Sequence, residues 1–401
     1  MLARRRFWFV GIGGAGMSAL ALVAREWGAE VGGSDRSRSS YVERLEEAGI
    51  PVTIGHDAAN VPEGAEVIVS SAIAPENPEI AGRTTTRRGE LLAELVAARP
   101  SIVVAGAHGK TTTAAMIAFC LERLGRDPAF LIGGEIPQLG GNARAGGGWL
   151  VAEGDESDRS LELLRPRIAV LTNVDLDHHA TFASAAEARE LFERWLAAAR
   201  SAVRGEELEP PSLELAVAGE HNLRNAAAAL AALELAGIER SDAERVLPDF
   251  RGAGRRFELR GEAAGVRVYD DYAHHPREVA ATLAVARSSA DGGRVLVAFQ
   301  PHLYSRTRYL ADELGRALAD ADLVAVTGIY AAREEPVPGV DGKLVVDALA
   351  ARRPGMAVAW TPELEDAVRF LSRRARPGDV VLTIGAGDVE RAGPRLLEEL
   401  A

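Results

Sequence analysis

The chain has 401 residues, a formal charge of −12 at pH 7, and is 47% hydrophobic and 26% charged. At roughly 100–200 residues per domain this leaves room for two to four domains in a soluble globular enzyme. The negative balance argues against nucleic acid or an anionic membrane as partner, and Cys120, the lone cysteine, excludes an intrachain disulfide and a cysteine-rich zinc site and favours a reducing cytoplasm.

Strand and helix signals alternate from the start. Strand 7–11, helix 15–27, strand 29–33, helix 41–48, strand 67–70 and helix 89–98 form a first run. Arg4, Arg5 and Arg6 before an apolar stretch mimic a secretory leader, but glycines 11, 13, 14 and 16 break that stretch as a strand-to-helix turn. Pro100 precedes a second run: strand 102–106, a helix from Thr111, strands 149–153 and 168–173, helix 185–203, strand 213–219 and helix 222–236. A third holds strands 256–260 and 266–270, helix 276–288, strand 294–300, helix 307–319 and strands 323–328 and 379–385. Alternation of this kind predicts parallel sheets with crossover helices. The expected architecture is α/β in three domains, 1–98, 99–248 and 249–401. The first and third are expected to be Rossmann-like, the second a phosphate-loop domain on a parallel sheet. No segment is apolar and long enough to span a bilayer.

Two glycine turns carry the chemistry. GIGGAG, residues 11–16, follows a strand, opens a helix and has Asp35 nineteen positions on. Glycines let the backbone approach a diphosphate at a helix N-terminus; the pattern suits NAD, FAD or a UDP-sugar alike. GAHGKTTT, residues 106–113, is a shortened phosphate loop with Val104 where a full Walker pattern has glycine. Its backbone would cradle nucleotide phosphates, Lys110 would reach the β/γ oxygens and Thr111 would face Mg²⁺. Of 46 basic residues only Lys110 and Lys343 are lysines. A compact ammonium in that turn is not replaceable by a planar fork. After strand 149–153 come Glu153, Asp155, Glu156 and Asp158; after strand 168–173 come Asp175, Asp177, His178 and His179. Both clusters sit at the carboxyl ends of strands, where open α/β sheets bind ligands, and they suit a hard cation.

Together, GIGGAGMS, GAHGKTTT, AEGDESD, NVDLDHH, GEHNLRNA, RRFE, YDDYAHHP and FQPHLYSRT resemble the Mur ligase family in identity and order over most of the chain. The resemblance is greatest to the members that act on UDP-N-acetylmuramate with L-alanine; murein peptide ligases are the next. It implies an ATP- and Mg²⁺-dependent cytoplasmic enzyme, monomer or homodimer, that joins L-alanine to the lactyl carboxylate through an acyl phosphate. Gly11, Gly13, Gly14, Ala15, Gly16, Asp35, Ser70 and His302 would meet the UDP-sugar. Gly106, Ala107, His108, Gly109, Lys110, Thr111 and Thr112, with His221, Asn222 and Asn225, would meet ATP. Thr111, Glu153 and His178 would hold Mg²⁺, and Lys110, His274 and Arg306 would be catalytic, with Asp271 and Tyr272 as further candidates. Ala107, Ala180 and Leu303 depart from the family's usual residues. His178 and His221 stand only 43 residues apart, so the central domain reads as shortened. With no lysine between 110 and 343, the carbamylated lysine of several relatives is impossible. A dinucleotide oxidoreductase would leave GKTTT unexplained. A non-catalytic derivative would be expected to shed its charged site residues.

Overall fold

The computed structural model describes residues 2–177, 181–332 and 334–401. Its first sheet alternates strand and helix: β1 (Arg6–Val10), α1 (Ala15–Glu26), β2 (Glu30–Asp35), α2 (Ser40–Glu47), β3 (Val52–Ile54), β4 (Glu66–Val69), β5 (Thr85–Arg87) and α3 (Arg88–Ala97). The order is β3-β2-β1-β4-β5, all parallel. The order reverses at β1, so the turn after β1 opens into the crevice where such sheets take ligands.

The second sheet is built from β6 (Ser101–Ala105), α4 (Lys110–Arg123), β7 (Ala129–Leu131), β8 (Ala143–Arg144), β9 (Leu150–Glu153), β10 (Ile168–Leu171), α5 (Ala185–Ala198) and β11 (Ser201–Arg204), followed by α6 (Glu220–Leu235) and α7 (Arg240–Val246). Its order is β11-β10-β6-β9-β7-β8, and only β8 runs antiparallel. β6 is buried throughout, as a central parallel strand covered on both faces must be. One face packs on α4 and α6. The other joins the first sheet's core in a continuous cluster running from Phe9 and Leu20 through Leu91 and Leu95 to Leu161, Leu191 and Trp195. That shared core makes residues 2–176 and 181–253 one compact unit.

The second unit, 254–401 with Asp177, contains β12 (Glu258–Ala263), β13 (Val266–Asp271), α8 (Pro276–Ser289), β14 (Val295–Phe299), α9 (Tyr304–Leu318), β15 (Leu323–Val326), α10 (Lys343–Arg352), β16 (Ala357–Trp360), α11 (Leu364–Ser372), β17 (Val380–Ile384) and α12 (Ala392–Leu400). The order is β12-β13-β17-β14-β15-β16, parallel apart from β12. α8 starts cleanly because His275 caps it, Pro276 takes its first position and Glu278 closes a capping box.

Two expected elements are corrected. The helix predicted over 185–203 ends at Ala198, and residues 201–204 become β11, which fills the sheet edge beside β10. The strand predicted over 213–219 is irregular: Leu213, Leu215 and Val217 still pack on the core, but β11 already holds that edge. The short strands β3, β5, β7 and β8, and the elements α7, α10, β16, α11 and α12, had no counterpart in the sequence reading. No helix of the described residues is long and apolar enough to cross a membrane.

Candidate functional site

The first glycine turn is built by its own backbone. Gly11 and Ile12 donate N–H to the Ser34 carbonyl, at 2.8 and 2.9 Å, and Gly11 adopts φ +77°. Asp35 holds the turn shut: Oδ2 accepts from Gly13 N at 2.9 Å and Oδ1 from Ser37 N at 3.2 Å. Gly14 is the N-cap of α1, so Ala15 and Gly16 lie in its first turn, where backbone donors lack helical acceptors. Ser70 follows β4, and its hydroxyl accepts from Ala72 N. His56, the one histidine outside the quoted strings, shares the buried Glu79 carboxylate with Ser34 and Asn60 beneath this turn.

The second turn is clamped from β10. Thr172 Oγ1 donates to the His108 carbonyl at 2.6 Å. Asn173 accepts from His108 N and donates to His108 O, both at 2.9 Å. Gly106, at φ +131°, leaves no room for a side chain, since a β-carbon there would lie 2.3 Å from Thr172 Oγ1. Gly109, at φ +80°, is equally tied, to Asn225 Oδ1. Ala107 changes only a side chain, and its N–H still reaches the Asn173 carbonyl. α4 begins at Lys110, which puts Lys110, Thr111 and Thr112 at the electropositive end of a buried helix. Asn225 donates to Asn222 on α6, and His221 is exposed on the same helix.

Lys110 is engaged by the protein itself. Its ammonium donates to Gly106 O at 2.6 Å and to the Glu156 carboxylate at 3.0 and 3.2 Å. Burial acts to lower its pKa, but Glu156, then Asp155 and Glu153, more than offset that and raise it. It stays charged. Asp155 is half-buried, which acts to raise its pKa, yet Arg88, Ser157 and Lys110 pull it down to about 2. Glu153 Oε2 accepts from Thr111 Oγ1 at 3.1 Å and Oε1 from Gly133 N at 2.5 Å. A hydroxyl and a carboxylate in contact beside a phosphate-type loop are the oxygen donors Mg²⁺ prefers, so these residues fit that ion. The predicted partner His178 lies outside the described residues. His108 meets Asp175 at 3.4 Å.

In the second unit His274, His302 and Arg306 come together. Arg306 on α9 is 3% exposed and donates Nε to Asp177 Oδ1 at 2.7 Å. Its Nη1 donates to His302 Nδ1 at 2.8 Å, so His302 carries its proton on Nε2. His274 Nδ1 lies 2.9 Å from the Tyr272 carbonyl, which requires the N–H there and leaves Nε2 as the lone-pair nitrogen, 4.0 Å from Asp177 Oδ2. Burial, reinforced by Arg306 against Glu278 and Asp177, lowers the His274 pKa to about 4, so the ring is neutral. Burial raises Asp271 to about 6 despite Arg256 and two backbone donors. Leu303, between His302 and α9, is held at φ +68°, ψ 137°, a conformation that strains any residue with a side chain. It fixes the entry angle of α9 and hence of Arg306.

Sequence reasoning missed Thr172, Asn173 and Arg88, and did not assign Glu156 a role. Polar residues ending a strand beside the phosphate loop were an available signal for the first two; nothing local marks Arg88. Lys343 lies exposed on α10, paired with Asp347.

Three family descriptions match the chain in order: "Mur ligase family, catalytic domain" over 6–99, "Mur ligase middle domain" over 104–203 and "Mur ligase, glutamate ligase domain" over 255–387. A UDP-N-acetylmuramate–L-alanine ligase of Rubrobacter xylanophilus is 42% identical over 98% of this chain and 99% of its own. The chain belongs to the Mur ligase family. One of the same name from Kineococcus radiotolerans is 43% identical over 99% and 96%. The crystal structure of UDP-N-acetylmuramate-alanine ligase from Thermotoga maritima superposes with TM-score 0.85 at 28% identity, covering 98% of each chain. A murein peptide ligase from Psychrobacter arcticus shares the fold at TM-score 0.71 and 24% identity. The three-domain α/β architecture is therefore that of the family. The aligned span with the Rubrobacter relative, 442 residues, exceeds the 401 of this chain, so the relative carries segments absent here.

Proposed function

We propose that this chain is an ATP-dependent ligase that joins L-alanine to the lactyl carboxylate of UDP-N-acetylmuramate, in the cytoplasm, as a step of peptidoglycan precursor synthesis. The observation that carries the reading is the loop 106–113, with Lys110 and Thr111 engaged by Glu156 and Glu153, in a chain about 40% identical over nearly its full length to ligases of that name. Residues 1–98 take the UDP-sugar, through the turn of Gly11, Gly13, Gly14, Ala15 and Gly16, with Asp35 closing it and Ser70 as a further contact; His302, in residues 249–401, is a further sugar-side candidate. Residues 99–248 take ATP, through Gly106 to Thr112 and through His221, Asn222 and Asn225. Residues 249–401 serve the amino acid.

The chemistry is two displacements. A lactyl carboxylate oxygen attacks the γ-phosphorus; the new O–P bond forms as the bond to the β-phosphate oxygen breaks and ADP leaves. The amine of L-alanine then attacks the acyl carbon: a C–N bond forms, the nitrogen's proton passes to solvent, and the C–O bond to phosphate breaks, releasing inorganic phosphate. Lys110 and the first-turn N–H groups of α4 balance charge on the phosphoryl oxygens as it develops. Arg306 offers a fork fixed by Asp177 and His302 for two oxygens of the acyl phosphate. His274, neutral with its lone pair on Nε2, accepts a hydrogen bond from the substrate side. Thr111, Glu153 and His178 would hold Mg²⁺, which when bound supplies charge neutralisation between nucleotide and carboxylate.

The test is phosphate release. Release should require ATP, UDP-N-acetylmuramate and L-alanine together; release equally fast without the amino acid refutes the reading. A panel of L-alanine, glycine and L-serine in the same assay fixes the acceptor, since one methyl is worth only about 1–3 kcal/mol of discrimination.

A further inference from the structure

One guanidinium stands where the two sheets of the first unit meet, and no motif announced it. Arg88 is the first residue of α3, directly after edge strand β5. Its Nη2 donates to Asp155 Oδ2 at 2.9 Å and lies 3.5 Å from Asp158 Oδ2. Its Nη1 occupies the space a side chain at position 16 would need: a β-carbon on Gly16 would fall 2.6 Å from it. The last glycine of GIGGAG is thus accounted for by an arginine. The guanidinium lies beside the amino end of α1, where backbone donors and the helix dipole already favour an anion. The attachment is firm. A β-carbon on Gly89 would fall 2.4 Å from Ser160 Cβ, so the start of α3 is pressed against the 160–163 turn that follows the acidic strip. The side chain is 23% exposed, so the head is reachable from solvent.

We propose that Arg88 is a substrate-binding residue that pairs with anionic oxygens of the nucleotide sugar at the glycine turn and links them to Asp155. A planar fork with five donors can hold a carboxylate on Nη2 and an anion on Nη1 at once, which a lysine cannot. Occupancy of the turn is then felt at the Asp155 carboxylate, one residue from the Glu156 that engages Lys110. The anion is the diphosphate or the lactyl carboxylate; both present the same oxygens.

This rests on the reading that the glycine turn takes a UDP-sugar, and the two fail differently. Calorimetry with UDP-N-acetylmuramate on the unaltered chain tests that reading, and absence of binding there refutes it alone. Given binding, Arg88→Ala should weaken it roughly tenfold or more, the loss of one charge-assisted pair. Arg88→Lys should fall between the two. KM for UDP-N-acetylmuramate should rise by the same factor while KM for ATP stays within about twofold, a split a merely structural arginine would not produce. UDP-N-acetylglucosamine, which lacks the lactyl group, separates the sources. An equal loss for both sugars assigns the diphosphate; a loss for UDP-N-acetylmuramate alone assigns the carboxylate. Should Arg88→Ala fail to fold, Arg88→Lys carries the same comparison. Unchanged affinity, or an equal rise in both KM values, overturns the proposal.

Discussion

Replacing Glu156 by Gln tests whether Lys110 must leave one partner to serve another. The ammonium has three hydrogens. In this structure they are directed at Gly106 O, at 2.6 Å, and at the two Glu156 oxygens, at 3.0 and 3.2 Å. Glu156 is almost fully buried, its side chain 4% exposed, so solvent screens this pair weakly. A hydrogen bond to a charged partner is worth about 1.5–3 kcal/mol. If Lys110 exchanges Glu156 for a phosphate oxygen, that sum is lost from the binding of every nucleotide. Glu156→Gln should then return it, tightening nucleotide affinity by roughly 10- to 100-fold. The free protein should lose a comparable amount of stability, because Lys110 is left with a weaker neutral acceptor. Isothermal calorimetry with ATP and Mg²⁺, paired with urea unfolding, reads both halves. Weaker binding would mean that Glu156 supports the nucleotide or its metal directly. Unchanged binding with unchanged stability would mean that the pair carries little energy. Either result refutes the exchange.

Removing Arg306 takes the buried Asp177 carboxylate's guanidinium partner away: Arg306→Met should lower stability in urea unfolding, by at most about 3–5 kcal/mol, and Arg306→Met with Asp177→Leu should recover part of it while phosphate release stays abolished. Recovery of release in the double variant would remove Arg306 from the chemistry. His274 and Asp271 predict opposing pH effects. His274, lowered from 6.5 to about 4, contributes stability that is complete above pH 6.5 and lost as pH falls to about 4. Asp271, raised from 3.8 to about 6, contributes stability present below pH 3.8 and lost as pH rises to about 6. Each is worth about 3 kcal/mol, so between pH 4 and 6 they offset. Asp271→Asn should unmask stability that climbs with pH, and His274→Asn stability that falls. Urea midpoints across that range, read by proteolysis of peptides from 254–401, distinguish these slopes; parallel profiles in both variants contradict the assignment. Finally, Leu303→Gly should relieve strain of about 1–3 kcal/mol, less the roughly 0.5–1 kcal/mol that a glycine costs in unfolded-chain entropy. The melting temperature should rise and kcat fall as α9 loosens. A lower melting temperature would show that the Leu303 side chain outweighs its backbone strain.

Much of this protein was legible in the chain itself, because the geometry of its glycine turns is local. A glycine turn between a strand and a helix encodes its own geometry within about ten residues, and Gly106 to Thr113 and Gly11 to Gly16 took up that geometry as written. The alternation of apolar strands with amphipathic helices fixed the α/β class for the same reason. Edges were not legible: LELAVAG has the period of a strand, yet the sheet edge it would occupy went to residues 201–204. Short strands such as Val52–Ile54 carry too few residues for a period to register. Partners distant in sequence were decided only by tertiary structure. Asp35 reads as a ligand-binding acid from its spacing; only the fold shows that one of its oxygens accepts the Gly13 N–H of the turn and the other the N–H of Ser37. Asn173 clamps a loop 65 positions earlier, and Arg88 reaches Asp155 67 positions later. Even the two lysines that composition singled out were separated by the fold alone. Lys110 is packed among carboxylates that hold its charge, while Lys343 lies in solvent beside Asp347. Composition can count a scarce residue; only packing decides which copy is desolvated, and desolvation is what gives its charge chemical force.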